Sequence, residues 1–177
     1  MRQDKLVFIG HDFFGDDPAR KALYRASIAS TIQKANADGR VIECNHAYYV
    51  VYGDTSIAEH APLHARLQEL DLRSPAMPFY WIEIRNRIKA SDLCLFDLTN
   101  WKPKLKRHLN YNVLLEFGVA LSDGKPCWVL CTDRKLVSRY LSNISGFQVE
   151  EYRDAQHFTD LGNILHDQLV LRAMQQT

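Results

Sequence analysis

The 177-residue chain lacks an excess of either charge, with 22 Lys and Arg against 21 Asp and Glu. A dedicated nucleic-acid surface would carry a basic surplus, so that class is set aside. Also missing is any apolar run near the roughly 18 residues of a membrane span. The start, Met1-Arg2-Gln3-Asp4-Lys5, has no apolar signal core, so a cytoplasmic protein without a membrane segment is expected. Cysteine is scarce. Cys44, Cys94, Cys127 and Cys131 form no CxxC and no Cys/His cluster of metal-ligand spacing, so neither metal nor disulfide is expected and all four read as buried thiols in or at the ends of strands. Cys127 and Cys131 would share a strand face, but roughly 13 Å apart, too far to bridge. GxGxxG is absent, which leaves a conventional dinucleotide cradle unsupported.

What is present is enough apolar material for a core, 46% of residues, in a length that suits one domain over 1–177. Lys5 to Gly10 reads as a first strand. Asp17-Pro18 then opens a helix to about Asn36, because Pro is tolerated at the first helical position behind an Asp cap. Asp38-Gly39 ends it, and Arg40 to Tyr52 reads as extended. Ile57 to Leu72 suggests a helix interrupted at Pro62, and Ser74 to Pro78 a loop. Trp81, Ile84 and Ile88 repeat at helical spacing before the compact strand Leu93 to Phe96, which Asp97 ends. A long connection, Leu98 to Leu109, leads to a helix over Asn110 to Asp123, stopped by Gly124. Cys127 to Cys131 is a strand, Thr132 to about Leu141 a helix, Phe147 to Tyr152 a last strand and His157 to Ala173 a closing helix. This alternation implies right-handed crossovers and a mainly parallel sheet covered on both faces. Such sheets bind ligands beyond the carboxyl ends of their strands, where strand order reverses.

One residue breaks the pattern. Glu116 is a lone carboxylate within Val113-Leu114-Leu115-Glu116-Phe117-Gly118-Val119-Ala120-Leu121, and burying an ionised acid without a partner costs several kcal/mol or raises its pKa. Two explanations compete: an ordinary salt bridge, to Arg85 or Arg87, or catalysis. Asn112 lies one helical turn before Glu116, so amide and carboxylate share a helix face and can hold a sugar together. Gly118 would admit neighbouring backbone, and Asp97 could bind a hydroxyl. The first loop adds Gly10, His11, Asp12, Phe13 and Phe14, whose glycine lets backbone approach a ligand and whose aromatics either stack on it or plug the core edge. The basic loop adds Trp101 among Lys102, Lys104, Lys106, Arg107 and His108. It reads either as a solvated charge run or as a phosphate-attracting flap, with free N–H groups following at Asn110-Tyr111-Asn112.

Three blocks carry a resemblance: Ser91-Asp92-Leu93-Cys94-Leu95-Phe96-Asp97-Leu98-Thr99; Asn110-Tyr111-Asn112-Val113-Leu114-Leu115-Glu116-Phe117-Gly118-Val119-Ala120-Leu121; and Gly124-Lys125-Pro126. Together they resemble the D-L-T, N-x-N-V-x-x-E-x-G-x-A, G-K-P pattern of the nucleoside 2-deoxyribosyltransferase-like and TIR-like superfamily, and Val7 to Phe14 is similar to that group's first strand and loop. The similarity covers Lys5 to about Cys131, without the 53–78 insert or the basic loop. It implies an α/β, flavodoxin-like three-layer sandwich on a five-stranded sheet. It also implies an enzyme, a hydrolase or transferase that cleaves the N-glycosidic bond of NAD, a nucleotide or a nucleoside.

By the same resemblance, Glu116 is the essential glutamate and Asp97 the ribose-binding acid. No cofactor is implied, NAD standing as a substrate, and a homo-oligomer is expected. Asn110-Tyr111-Asn112 replaces the aspartate and glycine-threonine pair of the transferases, which favours the TIR-like branch. The alternative on this fold is a non-catalytic nucleotide sensor that acts through self-association. The chemistry agrees independently: cleaving a glycosidic bond builds positive charge on the sugar, which a carboxylate stabilises or traps. Nicotinamide leaves NAD as a neutral molecule and needs no acid, whereas a neutral base needs a proton, for which His11 or Asp12 is at hand.

Overall fold

The computed structural model describes residues 3–12, 18–44, 46–52, 80–100, 105, 108–141, 147, 149–152 and 158–175. In chain order these form β1 (Gln3–Gly10), α1 (Pro18–Ala37), α2 (Gly39–Glu43), β2 (His46–Tyr52), α3 (Tyr80–Ala90), β3 (Leu93–Asp97), α4 (Tyr111–Ser122), β4 (Cys127–Cys131), α5 (Arg134–Tyr140), β5 (Val149–Glu151) and α6 (Phe158–Gln175). The five strands make one sheet in the order β2-β1-β3-β4-β5, and every pairing is parallel. This is the flavodoxin-like α/β arrangement. The helix and loop expected over 57–78 lie outside the described residues, as do Asp17, Phe13, Phe14 and Trp101.

Alternation along the strands sends side chains to opposite faces, so two cores form. Val7 and Ile9 of β1, Leu93 and Leu95 of β3, and Trp128 and Leu130 of β4 pack under α1, α2 and α6. Leu6 and Phe8, Cys94 and Phe96, and Cys127, Val129 and Cys131 pack under α3, α4 and α5. Being covered on both faces, β3 and β4 are buried at every position, which is why they read as continuous apolar runs.

One segment differs from the expectation. The sequence suggests an extended stretch from Arg40 to Tyr52, but Gly39–Glu43 is a short helix and β2 begins at His46. Asp38 does more than stop α1: its side chain accepts from Arg40 N at 2.8 Å and binds the Arg40 guanidinium at 2.9 Å, so it also caps the next helix. Cys44 therefore follows α2 rather than lying in a strand, its N–H bonded to Arg40 O.

The sheet order reverses between β1 and β3. β2 lies on one side of β1, and β3, β4 and β5 lie on the other. The C-terminal ends of β1 and β3 thus bound the crevice in which this kind of sheet takes its ligands.

Candidate functional site

The site begins with the inner face of α4. Val113, Glu116, Phe117 and Ala120 are its buried residues, spaced as one helical stripe, so Glu116 is drawn inward with three apolar neighbours. Its depth is set by β1. Gly10 continues the parity of Leu6 and Phe8, which face α4. A Cβ at position 10 would lie 2.5 Å from Glu116 Oε2 and 2.7 Å from Phe96 Cδ1. The carboxyl group therefore rests on bare backbone at the last residue of β1, beside the ring of Phe96, which is Gly10's register partner on β3.

Glu116 is 6% exposed, and Oε2 has no hydrogen-bond partner among the described residues. Burial alone pushes its pKa up to about 8. The salt bridge considered from the sequence is not formed: neither Arg85 nor Arg87 pairs with Glu116 in the structure. At neutral pH the free protein therefore holds Glu116 mostly as the uncharged acid.

The other described candidates occupy different places in the fold. His11 and Asp12 continue directly from β1 and are both buried. The His11 Nδ1–H donates to the Asp12 carbonyl at 2.6 Å, which fixes the hydrogen on Nδ1 and makes Nε2 the acceptor of the neutral ring. Asn110 is the N-cap of α4, accepting from Asn112 N at 3.1 Å and Val113 N at 3.3 Å, so its side chain is committed to the helix end. Asn112 is exposed whereas Glu116 is buried; one turn apart, they do not share an environment. Around Gly118 no described atom lies within 4 Å of where a Cβ would sit. The close backbone approach expected there is not formed, because position 118 lies on the exposed side of α4.

Asp97 belongs to the other side of the sheet. It follows Leu93 and Leu95 in strand parity, opposite to Phe96 and Glu116. It is fully buried, accepting from Thr99 N at 3.0 Å and from the hydroxyl of Tyr152. Tyr152 also bonds Thr99 Oγ1 at 3.1 Å, and Thr99 Oγ1 accepts from Thr132 N at 3.0 Å. These four residues tie together the segments that leave β3, β4 and β5.

No protein-family model matches the chain, and no curated protein matches it. Among solved structures it is similar to a 2-desoxiribosyltransferase from Leishmania mexicana, with 20% identity over 85% of this chain and 81% of that one and a TM-score of 0.43. It is also similar to azoreductase AzrA, with 7% identity over 98% of both chains and a TM-score of 0.37.

Sequence reasoning missed two contributors. Phe96 looks in the sequence like one more residue of a buried strand, although strand parity and its position near the strand end are the signals that place it beside the carboxyl. Tyr152 carried no local signal, since its partner Asp97 is distant in sequence and the two meet only through the sheet.

Proposed function

We propose that the protein cleaves the N-glycosidic bond of NAD or a related nucleotide or nucleoside, with Glu116 as the group that meets the anomeric carbon. One observation carries this reading: a buried carboxyl, without a hydrogen-bond partner at Oε2 among the described residues, seated on Gly10 where the strand order reverses. The D-L-T, N-x-N-V-x-x-E and G-K-P blocks support it from the sequence, including its TIR-like aspect.

The protonation state bears on the substrate. Acting as a nucleophile or charge stabiliser requires the ionised form, which burial disfavours. A ligand that brings its own positive charge favours ionisation through Coulomb attraction in the same low-dielectric surroundings. The nicotinamide riboside half of NAD is such a ligand. Its C–N bond breaks with the electron pair passing to the ring nitrogen, so nicotinamide departs neutral without a proton. The vacated carbon then bonds to a water oxygen, to another acceptor, or first to Glu116. Neutral nucleosides would need a proton on the departing base, for which His11 or Asp12 is the candidate donor.

The test is base release from NAD and from a panel of nucleosides, followed for wild type and Glu116→Gln. Wild-type release, with loss of at least about 1,000-fold in the variant, is expected of a group placed at the reacting carbon. For NAD, kcat/KM should climb as pH rises through about 8, the range in which Glu116 ionises. Tight binding without turnover would instead favour the nucleotide sensor, and neither binding nor turnover would defeat both readings.

A further inference from the structure

We propose that Gly10 is a positioning residue for Glu116, and that the side chain it lacks is the space that seats the carboxyl; the role of the carboxyl itself rests on the reading above. A Cβ at position 10 would meet Glu116 Oε2 at 2.5 Å and Phe96 Cδ1 and Cε1 at 2.7 and 3.1 Å. Something must move. Phe96 is fully buried and wedged between Phe8 at 5.8 Å and Phe117 at 5.5 Å between ring centres. Phe117 is in turn braced by Phe147 at 5.6 Å. Close-packed rings in an interior yield little.

Glu116 differs, because its contacting atom is the far end of a flexible side chain that no hydrogen bond holds at Oε2, and alternative staggered rotamers lie within reach. A methyl at position 10 therefore displaces the carboxyl in preference to the ring. The same glycine could be read as a place for ligand backbone approach, but its side-chain direction is already occupied by protein. Gly10 thus acts through Glu116, and its replacement damages orientation more than affinity.

Gly10→Ala tests this in two ways. In the base-release assay, kcat should fall by about 100-fold, the scale of an ångström-sized misplacement, while KM changes by less than about threefold. The second readout needs no activity: thermal melting of wild type, Gly10→Ala, Glu116→Ala and the double variant. Removing the carboxyl makes room for the methyl, so Gly10→Ala should lower the melting temperature by at least about 3 °C less in the Glu116→Ala background than in wild type. If Gly10→Ala alone does not fold, recovery of a cooperative transition in the double variant supports the proposal equally. Equal losses in both backgrounds, or a double variant that stays unfolded, would overturn it and assign the constraint to Phe96. Absence of base release from the wild type would remove the proposed activity but leave the melting comparison decisive for Gly10.

Discussion

Glu116 sits on the buried stripe of α4, where burial alone acts on its charge. A single acid in an apolar helical stripe is visible without any structure, because stripe and charge are both local patterns. What remained open was the partner, since an ion pair and an open pocket share one local sequence; the structure leaves Oε2 unpaired among the described residues. That has a consequence for stability. With a folded pKa raised to about 8 from an ordinary 4.5, the native state keeps a proton that the unfolded chain releases. The contribution is fully present below about pH 4.5 and is lost as pH rises through about 8, by a few kcal/mol at most. Glu116→Gln removes this dependence. Wild type should therefore lose stability relative to the variant between pH 5 and pH 8.5 in denaturant titrations, and parallel curves would contradict the unpaired burial.

At the scale of elements, the strands and long helices were legible because each carries its own period and stop. β4 spans Cys127–Cys131 as read, and α4 lies between its caps Asn110 and Asp123, with Gly124 beyond at a φ of 66°. The failure at α2 is equally physical. Asp-Gly signals a stop, but the same Asp side chain can cap a new helix starting at the glycine, and only the Asp38 to Arg40 contacts decide between them. The brace at the ends of β3, β4 and β5 was invisible for another reason: Asp97 and Tyr152 are 55 residues apart. Tyr152→Phe tests it. The change keeps the ring in the core but removes a hydroxyl bonded to a fully buried carboxylate, and should destabilise by about 2–3 kcal/mol. Chemical denaturation measures this, and a loss below about 0.5 kcal/mol would mean that the brace contributes little.

For the whole molecule, the strand order predicts at which end of the sheet a ligand goes. The end at the strand starts is tied by direct bonds. Lys125 Nζ donates to the carbonyls of Lys89 at 2.6 Å and Ser91 at 2.8 Å, while Leu6 N donates to Asp92 Oδ2 at 2.8 Å. These contacts tie the C-terminus of α3 to β1 and to the segment that leads into β4. The opposite end carries Gly10, the buried His11 and Asp12, and the buried carboxyl of Glu116, whose Oε2 has no hydrogen-bond partner among the described residues. A parallel sheet takes its ligands beyond the carboxyl ends of its strands, at the switch point. Amide hydrogen exchange with and without saturating NAD should then show slowed exchange from Ile9 to Asp12 and in the first two turns of α4. Exchange in 89–93 and 125–127 should stay unchanged. Protection confined to that second set would place the ligand at the wrong end for Glu116, and the glycosidic reading would fail even if NAD bound tightly.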